Sequence, residues 1–436
     1  MPKKTVQTSV RLMPAALLSL SASSMPVQAD FTKEVEDALN FYDNGNKGAV
    51  NMDLRYRWEN VNQDAGPVIP GSNPPRTVET ANANTARLRL GYLTPTFYDL
   101  QAFAEYEGNY AMQEDYNSTR NGRTQYSVVA DPDKSELNQF WLSYKGIPDT
   151  LAKVGRQRIK LDDDRFIGNV GWRQMEMTYD SVLLINQSLP GLTVKAGYFD
   201  SARTIFSTKE KMNSPILNLN YKVGEWGNLI GYGYWLDFRE QENYAKSSQS
   251  YGLGFEGKSP KFFDTVSAIY DAEWSNQSNY GDNPNHYQVD RFKFLGGATA
   301  YNVTLSGAME QLNGLGYSNN KVTNNGSTYK SFQTPLGTNH AFQGWADLFL
   351  TTPANGIRDV FATASYKMMN DSLIFTGVYH DFYDDTGVVQ YGNEWDFSVM
   401  KKFGKHYSLL AKYANYNADS FGTDTQKIWL EADVSF

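Results

Sequence analysis

Arg156, Arg158, Lys160, Arg165 and Arg173 fall in one short stretch that also carries Asp162, Asp163 and Asp164. A guanidinium stays charged at any working pH and can grip a carboxylate through two parallel N–H donors. So dense a cluster supports two chemistries. One is a series of anion sites, along which an acidic solute steps provided that no site holds it too tightly. The other is scaffolding, in which Arg and Asp side chains tie an inward-folded loop in place. The residues alone leave both open. If the chain crosses a membrane, this stretch cannot face lipid, where an arginine at the midplane costs about 2–4 kcal/mol. It must face a water-filled interior or fold into one.

A second stretch, Gly337 to Phe349, is a long loop carrying rings at Phe342, Trp345 and Phe349. Such a loop is too apolar to stand free in water, so it is expected to fold over or into the structure that bears it. Catalysis has weaker support. His380 beside Asp381, and His286, sit near strand ends, but no nucleophile stands in a recognisable setting beside either. An enzyme is therefore not indicated. With no cysteine and only four scattered histidines, neither a disulfide framework nor a metal site is expected, and no cofactor motif is present.

The elements that must position these residues are strands. Val50, Met52, Leu54, Tyr56 and Trp58 alternate with Asn51, Asp53, Arg55, Arg57 and Glu59. A strand has a side-chain period of two, so one face meets something apolar and the other meets water. Leu88 and Leu90 repeat the pattern against Arg87 and Arg89, and Ile428, Leu430, Ala432 and Val434 repeat it up to Phe436. Trp429 is the one large ring on the polar side of that last segment. Short connections, such as Thr94-Pro95, Pro190-Gly191, Gly296-Gly297 and Gly404-Lys405, alternate with long polar ones. Together these features predict an all-β fold: a transmembrane antiparallel β-barrel of about eighteen strands, with short periplasmic turns and long extracellular loops.

In such a barrel the first and last strands meet. Arg55, Arg57, Arg87, Arg89, Lys412 and Lys427 then share four neighbouring strands and all face inward, interleaved with Asp53, Glu59, Glu431 and Asp433. They form either a pore-lining basic surface or a salt-bridged wall that stiffens the barrel.

Composition agrees. Aromatic residues make up 14% of the chain while mean hydropathy is only -0.54, as befits aromatic girdles around a polar lumen. Lys3, Lys4 and Arg11 before an apolar run, with Val27-Gln28-Ala29 at its end, predict a signal peptide over 1–29. A short periplasmic segment over 30–46 and a barrel over 47–436 would follow. The formal charge of -8 argues against nucleic acid as a partner. The expected surroundings are the lipids and lipopolysaccharide of a Gram-negative outer membrane, with the oligomeric state left open.

Both chemical stretches resemble the alginate-export family of outer-membrane porins. The first carries Gly155-Arg156-Gln157, then Asp163-Asp164-Arg165-Phe166-Ile167-Gly168, then Gly171-Trp172-Arg173-Gln174. The second carries Gly337-Thr338-Asn339-His340, Phe342, Gly344-Trp345 and Asp347, followed by Pro353, Gly356 and Asp359. The resemblance implies an eighteen-stranded barrel whose basic, constricted lumen passes anionic polymers or oligomers. By that match Arg156, Arg158, Arg165 and Arg173 are candidate constriction residues, with Asp162 and Asp164 as partners that fix them. His340, Trp345 and Asp347 are loop landmarks. The expected function is a passive channel for hydrophilic solutes, preferring acidic oligosaccharides or organic anions. A general porin with a structural Arg/Asp cluster, or a surface adhesion or receptor barrel, is the alternative.

Overall fold

The computed structural model describes residues 48–64, 78–315, 317–318, 321–322 and 330–436. The expected signal peptide and the segment over 30–46 lie outside the described residues. Eighteen strands build the wall. The first nine are β1 (Ala49–Gln63), β2 (Ala81–Leu93), β3 (Leu100–Asp115), β4 (Lys134–Ile147), β5 (Thr150–Gln157), β6 (Thr178–Asn186), β7 (Leu192–Arg203), β8 (Lys209–Val223) and β9 (Gly227–Leu236). The rest are β10 (Ser248–Lys258), β11 (Ser267–Asn279), β12 (Gln288–Ala300), β13 (Val303–Leu312), β14 (Ile357–Met368), β15 (Leu373–Tyr383), β16 (Gln390–Phe403), β17 (Tyr407–Ala418) and β18 (Thr425–Ser435).

Each strand pairs antiparallel with the next, and β1 pairs with β18, so no edge is left open. The register puts Trp58 opposite Leu430 and Arg57 opposite Glu431. Leu54, Leu88, Leu90, Leu142, Val154 and Val182 stand exposed on the outer face, while Arg57, Arg87 and Trp429 are buried inside. Alternation thus sorts side chains between bilayer and lumen, as its period requires.

Long connections gather at one end and short ones at the other. The expected turn at Gly296-Gly297 is corrected: both glycines lie within β12, opposite Gly307 and Ser306 of β13. The chain turns instead at Tyr301 and Asn302, whose φ values of 48° and 65° form the mirror-image two-residue turn that matches strand twist. A Cβ at Gly297 would collide with the backbone of Leu305 and Ser306, so this glycine permits close strand approach.

The lumen is partly filled. β5 has only eight residues, and after Gln157 the chain leaves the wall and runs inward through 158–177. Ile159, Leu161 and Ile167 pack there against Tyr179, Phe199, Tyr234 and Phe238 of the β6–β9 side. The described part of the long connection before β14 also folds inside, seating Phe349 among Phe382, Tyr391 and Tyr416. Each such burial contributes roughly 1.5–3 kcal/mol, enough to hold an otherwise polar loop in the barrel.

Candidate functional site

The two stretches singled out by their chemistry meet in the lumen. Gly168 donates its N–H to the Leu336 carbonyl at 2.9 Å, and Thr338 donates to the Asp164 carbonyl at 2.9 Å. Arg165 is 2% exposed and fastens this junction. Its guanidinium reaches Glu310 at 3.0 Å, Gln343 at 2.9 Å and Asn339 at 3.1 Å, and stacks 4.6 Å from the Phe342 ring. Arg291 shares Glu310 at 2.6 Å.

A second junction lies toward the β17–β18–β1 wall. The Trp172 ring stacks on His340 at 4.3 Å, and Arg173 spans Glu59 at 3.0 Å and Asp347 at 3.1 Å. Lys412 sits 2.7 Å from His340 Nε2 and 3.7 Å from the Trp345 ring. An ammonium can only donate, so Nε2 is the acceptor and Nδ1 carries the proton given to Asp347 at 2.6 Å. Burial pushes the His340 imidazole down to about 3, outweighing the pull of Asp347. Asp347 is held well below the usual carboxylate range because His340, Lys427 and Arg173 together overcome its own burial. The loop backbone also docks here: Trp345 and Ala346 donate their N–H groups to Asp396 at 3.1 Å and Glu394 at 2.6 Å. Gly344 has φ +81°, and a Cβ there would strike the Glu394 carboxylate.

Beneath these junctions two walls carry charge in opposite order. On the β1–β5 side, Arg55 pairs with Asp433 at 2.7 Å, Arg89 with Glu107 at 2.5 Å and Arg158 with Glu176 at 2.7 Å. Arg158 is 33% exposed and Arg89 11%, whereas Glu176 and Glu107 are each 0% exposed. The carboxylates stand behind and the guanidinium groups face water. Burial alone would raise Glu176, but Arg89 and Arg158 draw it down to about 2, so it stays an anion that anchors both. Arg89 lies within electrostatic reach of both Arg55 and Arg158, making one continuous row.

On the β10–β12 side the order is reversed. Arg291 is fully buried and pairs with Glu273 at 2.9 Å. Lys293 bridges Asp163 at 2.8 Å and Asp271 at 2.7 Å. Here the carboxylate, up to 31% exposed at Asp163, is the outer partner.

The structure therefore separates the expected constriction set. Arg158 is the most exposed to the lumen, and Arg55 and Arg89 keep part of their side chains exposed there. Arg57 is buried, pairing with Glu431 and stacking 4.2 Å from the Trp172 ring, and Arg87 is buried on Asp53. Arg165 and Arg173 are buried in the loop junctions. Arg156 is corrected: its register partners, Phe140 and Asp180, lie on the outward row with Val154 and Val182. It binds Asp180 at 2.8 Å on that face, at the top of short β5. The pairing expected of Asp162 and Asp164 is corrected too. Asp162 accepts from Asn218 at 2.6 Å and Asp164 pairs with Lys160 at 2.9 Å. The acids that hold the arginines are Glu176, Glu310, Glu59 and Asp347. Glu310 and Glu59 sit on inward positions of their strands, a signal available from alternation, but nothing local in sequence points them at Arg165 or Arg173. His380 meets Asp359 at 3.0 Å inside the barrel.

Solved structures share this architecture. OpdK of Pseudomonas aeruginosa, in a crystal structure with vanillate, superposes with a TM-score of 0.63 at 11% identity, over 89% of this chain and 98% of its own. OccAB2 of Acinetobacter baumannii gives 0.67 at 13% identity, over 91% and 99%, and OpdQ of Pseudomonas aeruginosa gives 0.65 at 14%, over 89% and 98%. The chain folds as an outer-membrane porin. The apolar outer belt of the barrel is the surface that a bilayer-spanning barrel presents to lipid. The family model described as alginate export matches residues 44–205, which hold the first arginine stretch. No curated protein matches the sequence.

Proposed function

We propose that this porin is a passive channel for hydrophilic solutes that favours small organic anions and acidic oligosaccharides. The observation that supports this most is the order of charge at Arg89 and Arg158, next to Arg55 in the row: buried Glu107 and Glu176 hold the Arg89 and Arg158 guanidinium groups so that these meet the solute first. A low-dielectric wall focuses that field and raises the local anion concentration. Salt screens it over about 10 Å at 0.1 M and about 3 Å at 1 M, so the preference fades as ionic strength rises.

Bilayer recording under a salt gradient tests the reading. The wild-type reversal potential should lie on the anion side, and Arg158→Ser should move it toward cations while the barrel still folds. Arg156→Ser, on the outward face, should leave it in place. A cation-preferring wild type, or a folded Arg158→Ser channel with unaltered selectivity, would overturn the role of the row. The carboxylate-fronted wall across the lumen favours a second reading, a channel that also admits cations along that side. It predicts a modest anion preference rather than exclusion of cations.

A further inference from the structure

We propose that an anionic phospholipid of the periplasmic leaflet docks on the outer wall of the barrel, with an acyl chain in a groove across β12–β16 and its phosphate on Lys401. The inference concerns the lipid face and is independent of the solute that the lumen passes. Two depressions, of about 560 and 320 Å³, share Ala364, Gly377 and Phe397 and so form one trough along these strands. Its upper level runs in register from Gly296 through Gly307, Ala362 and Tyr379 to Trp395. Its lower level reaches Tyr366, Phe375 and Val399.

The floor of the trough is made of residues too small to fill it. Gly296 and Gly307 face each other across β12 and β13, and a Cβ added to either would meet nothing within 4 Å. Unlike Gly297, they are not needed for close strand approach, and glycine weakens a strand interior. What they leave is open space, flanked by Leu305 and Trp395, 57% and 47% exposed. In a bilayer no water is displaced there, so the gain from seating a hydrocarbon chain is dispersion contact, which a groove supplies on three sides where a flat wall supplies it on one.

The periplasmic end of the trough carries a cation. Lys401 follows Trp395, Phe397 and Val399 on the outward row of β16, opposite Leu373 of β15. Its ammonium donates to Ser372 Oγ at 2.9 Å, just past a short turn, and among the described residues no carboxylate lies within ion-pair distance of it. At the other end Asp381 stands on the same outward row of β15 as Tyr379, so an anion is favoured at the Lys401 end. Lys401 lies six positions from Trp395, about 20 Å along the strand, and a tilt of about 40° turns this into a depth of about 15 Å, half the hydrocarbon core. The trough therefore has the length of one leaflet's acyl chain, and it ends on an ammonium at the level where a lipid phosphate can accept a charge-assisted hydrogen bond.

The test is native mass spectrometry of the full-length barrel, released from detergent after equilibration with equal amounts of phosphatidylglycerol and phosphatidylcholine. The wild type should retain phosphatidylglycerol at least about tenfold more than phosphatidylcholine. Lys401→Gln should abolish that preference, while Lys402→Gln, which removes the same charge from the opposite face of the strand, should leave it. Gly307→Leu fills the floor from a lipid-facing position and should lower retention of both lipids several-fold, with unboiled gel migration confirming that each variant is folded. Equal retention of the two lipids by the wild type, a preference that survives Lys401→Gln, or unaltered retention in Gly307→Leu would overturn the site. So would retention of a second barrel that is lost in Gly307→Leu, which would make the groove a subunit interface.

Discussion

The β1–β5 wall and the β10–β12 wall are made from the same ion pairs arranged in opposite order. On the first, Glu107 and Glu176 are the buried members and Arg89 and Arg158 reach the lumen. On the second, Arg291 is the buried member and Glu273, Asp271 and Asp163 reach it. Formal charge nearly cancels within each wall, yet each presents a different sign to a passing solute. Depth within the pair, more than the count of charges, sets the local field, because the inner charge is shielded by protein while its partner meets water.

The sharpest way to break this comparison is to remove an inner charge. Arg291→Ala would leave Glu273 without a cation partner and Glu310 with Arg165 as its one remaining cation, and it should lower barrel stability by about 3–5 kcal/mol. The front-row Arg158→Ser should cost less, because the buried Glu176 keeps Arg89, Asn138 and Asn169 as partners. Urea midpoints in detergent micelles compare the two directly, and equal losses would show that inner and outer positions are energetically alike.

Next in size is the loop junction that keeps both walls in place. His340 is neutral in the fold, with its pKa near 3, but takes up a proton near 6.5 when released. Between those values the unfolded state binds more protons, so stability rises with pH and falls on acidification, by up to about 1.4 kcal/mol per unit. Acidification from pH 7 to 4.5 should therefore lower the urea midpoint, and His340→Gln should reduce that drop. An unaltered drop in the variant would remove His340 from the explanation.

The smallest expected effect sharpens the contrast on the acidic side. Asp163→Asn combined with Asp271→Asn should shift the reversal potential slightly further toward anions, because Glu273 remains on that wall. A shift toward cations would contradict the assigned polarity.

The sequence by itself determined the wall. Its period-two pattern is local, since each residue's face follows from its neighbours, and so Arg55, Arg57, Arg87 and Arg89 could be placed inward, and β1 beside β18, from alternation and closure alone. The same periodicity carried the side of Arg156, which shares a face with Val154, but the density of charge around it drew it into the lumen set. Turn chemistry was less legible: Gly296-Gly297 reads as a break, and only the ladder shows it as a strand interior. What the tertiary structure alone decided was which acid holds which arginine and which member of each pair meets water. Arg165 finds Glu310 across 145 positions of chain, and Arg173 finds Glu59 across 114. Those partners exist only once two loops have folded into a closed barrel, so burial order, and with it the sign each wall shows to a solute, is a property of packing that no local spacing encodes.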